Sequence, residues 1–227
     1  MVYPTFTPHL TRRHLLRATA ALVAGLALPR ASRADEPAPA LPAEPGTRKK
    51  ILILGDSMIA GGVGLFLENG LRKVHGHEVR RKGKSSTGLA RPDFFSWPKE
   101  AAAQLEAFTP DAVIAMFGGN DVQAMNPRVY ARRLIALVED LIEQGVIPIL
   151  GAIQPRRSRE MEPWVQRYNS ITASVAHAFQ LPYVDFHQAM LPLPGMGLAA
   201  DGVHPNVFRR GPRMLPCDLT DEGLTGG

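Results

Sequence analysis

The chain has 227 residues, 45% hydrophobic and 21% charged, which suits one ordinary domain with a substantial core, would cramp two, and excludes disorder throughout. Its formal charge of +5 would alone call for an anionic partner, but Arg12, Arg13, Arg17, Arg30 and Arg33 fall in residues 1–34, a stretch without acids. Taking those five from the 26 basic residues leaves 21 against 21 acidic ones, so the remainder is balanced and nucleic acid is not an expected partner.

Within that N-terminal stretch, Thr11-Arg12-Arg13-His14-Leu15-Leu16-Arg17 precedes an apolar run from Ala18 to Leu28, and Ala31-Ser32-Arg33-Ala34 follows. A basic start, a short apolar middle and small residues near a cut site are the features of an export signal, and the arginine pair points to the twin-arginine route. The run is short for a bilayer, so no stable membrane span is expected; an uncleaved N-terminal anchor is the other reading. Cleavage is expected after Ala34, which predicts a periplasmic or secreted protein. Residues 35–48, rich in proline and alanine, read as an extended linker. Cys217 stands alone, so no internal disulfide and no cysteine-based metal site is expected.

From Lys49 the pattern alternates. Strands are predicted over 50–54, 77–82, 111–117, 146–152 and 182–186, and helices over roughly 58–74, 98–108, 127–144 and 161–179. In the third helix Tyr130, Leu134, Leu137, Val138 and Leu141 form one stripe, with Asn126-Pro127 as its start and Gly145 as its stop. Alternation of this kind predicts an α/β fold of three layers, α/β/α, with a five-stranded parallel sheet and right-handed crossovers. Sites in such sheets gather at the carboxyl ends of the strands. The chemistry-bearing clusters fall there. Gly55-Asp56-Ser57 closes the first strand, Gly118-Gly119-Asn120-Asp121 closes the third, and Asp201-Gly202-Val203-His204 follows the last. After His204, residues 207–227 show no clean helical periodicity and read as an irregular tail.

Serine needs a base to become a nucleophile, and a histidine oriented by a carboxylate is the usual one. Ser57, His204 and Asp201 supply those parts, and the Gly-Gly-Asn segment offers an amide for an oxyanion. This pattern points to a serine hydrolase or acyltransferase. Asp56 reads equally as a loop buttress or a catalytic group, and Asp121 as a loop residue bonding nearby amides. His75, His77, His177 and His187 are scattered and read as surface or core residues, with no metal site. Arg80-Arg81-Lys82-Gly83-Lys84 reads as a solvated strand end. Arg156, Arg157 and Arg159 read as solvated too, with contact to an anionic glycan as the alternative. Phe94, Phe95 and Trp97 line an acyl or sugar groove or simply pack over the sheet edge.

Together the clusters resemble the SGNH (GDSL-type) hydrolases, whose serine, glycine, asparagine and histidine lie in four sequence blocks. The resemblance covers roughly 49–206, the expected hydrolase domain, and implies a flavodoxin-like fold with no cofactor. It places the nucleophile at Ser57, the acid and base at Asp201 and His204, and oxyanion donors at Ser57, Gly88 (in Ser85-Ser86-Thr87-Gly88) and Asn120. The stretch from Thr87 to Pro98 and Gln154-Pro155-Arg156-Arg157-Ser158 are similar to an envelope-associated subgroup; Arg91, Phe94, Phe95 and Trp97, near Gly88, and Arg156, beyond a strand's carboxyl end, are the candidate substrate contacts. The resulting expectation is an exported esterase acting on O-acyl groups of an envelope or secreted polysaccharide, its partner being an acylated polysaccharide or small ester. O-acyl transfer to an exopolysaccharide such as cellulose, or a glycan-binding or assembly role on a hydrolase scaffold, are the alternatives. The oligomeric state is left open.

Overall fold

A computed structural model describes residues 48–91 and 95–206, with the backbone of the short antiparallel pair Arg209–Arg210 and Arg213–Met214. The predicted signal, nearly all of the linker, Phe94 and most of the tail, Cys217 included, lie outside the described residues.

Five strands, β1 (Lys50–Gly55), β2 (Glu78–Gly83), β3 (Ala112–Met116), β4 (Ile147–Gly151) and β5 (Tyr183–Val184), form one sheet in the order β2-β1-β3-β4-β5, with every pair parallel. β1 is buried from Ile51 to Gly55 because it is central and covered on both faces, which is why its sequence is continuously apolar rather than alternating. Leu52, Leu54, Val113 and Ala115 face one core with the helices α3 (Trp97–Phe108), α5 (Pro127–Glu143) and α6 (Glu162–Ala178). Ile53 and Met116 face the other, with Met58 and Ile59 of α1 (Ser57–Ala60), Val63 of α2 (Gly62–Asn69) and Phe186 of α7 (Phe186–Met190). The three-layer prediction holds. On α5 the whole predicted stripe is buried, Asn126 accepts from the Val129 amide at 3.2 Å, and Pro127 opens the helix.

The differences are local. The first predicted helix breaks at Gly61, since the Gly61-Gly62 pair has little helical propensity, and α2 then ends in a π-turn, Gly70–Val74. A short helix, α4 (Asp121–Ala124), follows the third strand, and β5 is two residues long rather than five. The basic run of β2 is engaged rather than freely solvated. Arg81 donates to the Ile59 and Ala60 carbonyls and to Glu68, and Lys82 pairs with Glu100.

Candidate active site

β1 delivers Ser57 to the carboxyl edge of the sheet, and Asp56 fixes how it arrives. One Asp56 oxygen accepts from the Met58 amide at 3.0 Å, capping α1; the other accepts from the Gly119 amide at 2.9 Å. Asp56 is 0% exposed. Burial pushes its carboxyl up to about 6 with help from the Asp121 charge, while the two amides and Arg156 pull the other way. Its role is the loop buttress. Side-chain room at Gly119 is closed by the same contact, since a Cβ there would meet Asp56 Oδ2 at 2.7 Å.

Although 147 positions apart, Ser57 and His204 meet: His204 Nε2 lies 3.2 Å from Ser57 Oγ. On the ring's other side, Asp201 Oδ2 lies 2.8 Å from Nδ1. Asp201 Oδ1 accepts from the Val203 and His204 amides at 2.8 and 3.0 Å, so the Asp-x-x-His spacing folds the carboxylate back onto its histidine in one turn. Slight burial would raise the Asp201 carboxyl, but the hydrogen bonds from the His204 ring and from the two amides outweigh it and hold it down to about 2. Asp201 is therefore a carboxylate at any ordinary pH, which fixes the proton-bearing Nδ1 toward it and leaves Nε2 facing the hydroxyl.

The surroundings of Gly88 and Asn120 are held by carbonyl and carboxylate clamps. Asn120 Nδ2 donates to the Thr87 carbonyl at 2.9 Å, which sets its amide beside the Thr87–Gly88 peptide and leaves its second N–H available. Asp121, fully buried, accepts from the Leu89 and Ala90 amides at 3.1 and 2.7 Å. Burial raises the Asp121 carboxyl against those bonds and the charge of Arg91. Gly88 has no room for a side chain. A Cβ there would meet Asp121 Oδ1 at 2.3 Å, so the carboxylate beneath the turn excludes any side chain.

Three of the predicted substrate contacts stand elsewhere or otherwise. Trp97 is 1% exposed and packs edge-on between Phe95 and Phe117, with Nε1 donating to Thr87 Oγ1 at 3.0 Å; it is a core residue. Phe95 is half-buried against the same core, with Lys84 over its ring. Arg156 is neither solvated nor free for a glycan: it is 7% exposed, and Nη2 donates to the Gly119 carbonyl at 2.6 Å. Arg91 remains partly exposed. Arg157, read as solvated, is exposed but donates to the Leu198, Ala199 and Ala200 carbonyls at 3.1–3.3 Å, with its amide on Gly202 O.

Sequence reading missed Thr87, Gln154 and the Glu162–His187 pair. Thr87 bonds Asn120 and Trp97, Gln154 Nε2 donates to Val203 O at 2.8 Å, and Glu162 joins the Arg156 amide (2.7 Å) to buried His187 (2.6 Å). Thr87 carried a signal by standing in the Ser-Ser-Thr-Gly block, and Gln154 by opening the Gln154–Ser158 stretch; the Glu162–His187 pair acts across elements and carried none. Among the described residues no group of His, Cys, Asp and Glu could hold a metal ion, and no helix is long and apolar enough to cross a membrane.

Residues 50–193 match the family model described as "Protein of unknown function (DUF459)". The chain belongs to this family. No curated protein matches it. Among solved structures, it is similar to Axe2, an acetylxylan esterase from Geobacillus stearothermophilus, at 20% identity and TM-score 0.57, covering 72% of this chain and 90% of that one. Catalytic mutants of that enzyme replace a serine, an aspartate and a histidine. The lipase/acylhydrolase from Enterococcus faecalis matches at 22% identity and TM-score 0.56, covering 70% and 87%. LAE5, an alpha/beta hydrolase enzyme from the metagenome of Lake Arreo, Spain, matches at 20% identity and TM-score 0.55, covering 70% and 88%. At these identities the likeness is one of fold, the α/β/α fold of SGNH hydrolases expected from the four blocks.

Proposed function

We propose that residues 49–206 form a serine esterase domain that removes O-acyl groups, acetyl above all, from an envelope or secreted polysaccharide. The observation that carries this is the relay from Asp201 through His204 to Ser57, at 2.8 and 3.2 Å. In this reading Ser57 Oγ attacks the ester carbonyl while His204 Nε2 takes its proton. The Ser57 and Gly88 amides and the free N–H of Asn120 receive the oxyanion. Collapse expels the sugar oxygen, which takes the proton back from His204, and water repeats the sequence on the acyl-enzyme. The fold likeness to an acetylxylan esterase supports the acetyl group and the glycan.

Hydrolysis is the reading taken here because the base is open: the His204 and Asp201 side chains are 45% and 49% exposed, which gives water a path to the acyl-enzyme. Export through residues 1–34 belongs to the same proposal, because an envelope polysaccharide lies outside the cytoplasm; Arg12→Lys with Arg13→Lys should abolish periplasmic appearance. The activity is tested by acetate release from acetylated xylan, peptidoglycan and bacterial exopolysaccharide. Wild type should release acetate from at least one and Ser57→Ala from none; equal release by both removes the esterase reading.

A further inference from the structure

Gly119, the residue before Asn120, is held at both its N–H and its carbonyl. Asp56 takes the Gly119 N–H at 2.9 Å, and Arg156 Nη2 donates to the Gly119 carbonyl at 2.6 Å. Gly119 has no side chain of its own to hold it, and Gly118 before it adopts φ +121°, so these two contacts fix how the loop turns from β3 into α4. Arg156 is in turn anchored. Its amide donates to Glu162 at the start of α6, and Glu162 is held by buried His187 of α7; nearby, Gln154 Nε2 and the Arg157 backbone N–H donate to the Val203 and Gly202 carbonyls of the Asp201–His204 turn.

Stability does not explain this arginine. Its guanidinium is buried, Nη2 serves one carbonyl, and Nη1 has no hydrogen-bond partner among the described residues. A buried cation with unsatisfied donors is generally worse for stability than an apolar side chain of similar size. Burial lowers its proton affinity against the pull of Asp56, Asp201 and Glu162, and an arginine stays charged regardless. What the arrangement does secure is direction: a charge-assisted bond of this length holds the Gly119 carbonyl, and with it the next residue's amide, to one orientation.

Resting on the esterase reading above, we infer that Arg156 is a positioning residue that acts through the Gly119 peptide to hold the Asn120 side chain as an oxyanion donor. It touches neither substrate nor Ser57. Its effect on turnover passes through Asn120, and that dependence can be measured.

The test is a double-mutant cycle on a short-chain p-nitrophenyl ester, using the full chain. Arg156→Met should lower kcat by about 10- to 100-fold, less than the 10²–10³ that losing a whole donor typically produces, with KM nearly unchanged. Introduced into Asn120→Ala it should lower kcat by less than about twofold, because the group it positions is gone. Arg156→Lys, which keeps a charged donor, should recover part of the loss and serves if the Met variant fails to fold. Equal losses in both backgrounds, or a loss that follows only the folded fraction in thermal melts, would overturn the inference. Turnover undiminished in Ser57→Ala would instead bring down the esterase reading itself, which separates the two failures.

Discussion

Ser57 and Asn120 rest on buried carboxylates, whereas His204 and Asp201 rest on a turn at the solvent edge. Asp56 and Asp121 each accept two backbone amides from inside the fold, and both are fully buried. Asp201 also accepts two amides, but its own and the histidine's side chains are about half exposed. The buried half is fixed by desolvated bonds that no solvent can replace; the exposed half is fixed by short-range closure, helped by Arg157 and Gln154 from the next segment. On the proposed esterase reading, the buried half lies where charge would develop on the ester, and the exposed half where water and the proton would come and go.

Substitutions can break this contrast, and the largest effect should come from the relay. Ser57→Ala or His204→Ala should lower kcat by about 10⁵–10⁶ on a p-nitrophenyl ester, as in other hydroxyl–imidazole pairs. Asp201→Asn should lower it by about 10³–10⁴, since the ring loses its fixed tautomer but keeps its place beside the serine. Asn120→Ala should lower kcat by about 10²–10³ without raising KM in proportion.

Smallest in activity, and sharpest for the contrast, is the pH dependence of stability. Asp56 holds its proton more tightly folded than unfolded, with a carboxyl raised from 3.8 to about 6. The folded state therefore binds more protons between those values, and stability should fall as pH rises from about 4 to 6, by about 3 kcal/mol from this group. Urea melts of Asp56→Asn should lose that slope apart from the part Asp121 supplies, whatever the variant's overall stability. Asp201 has the opposite sign. Its carboxyl is depressed to about 2, so its contribution is present above pH 4 and lost as pH falls toward 2, and its exposure keeps that contribution small. An Asp56→Asn slope equal to wild type would remove the difference between the two halves.

The sheet and the relay were legible because both depend on local pattern. The continuous apolar run Ile51–Leu54, stopping at Gly-Asp-Ser, reads as a buried strand, and the spacing of Asp201 and His204 lets the carboxylate fold back onto its histidine within one turn. Trp97 and Arg156 could not be placed from sequence because their positions depend on contacts it does not encode nearby. Trp97 beside the glycine block read equally as a groove wall or as packing, and its indole turns inward to Thr87. Arg156 beyond a strand end looked solvated, yet the Gly119 carbonyl, 37 positions earlier, draws it into the interior. What confines position 88 to glycine, the Asp121 carboxylate beneath it, appears only once α4 is folded against the turn.

The central claim is that folding activates Ser57 through His204. The most direct measurement is the rate and site of labelling by a fluorophosphonate, read by intact mass and peptide mapping. The account predicts one adduct, on Ser57, formed at least about 10³ times more slowly in His204→Ala. An adduct on another residue, or equal labelling rates with and without the imidazole, would contradict it.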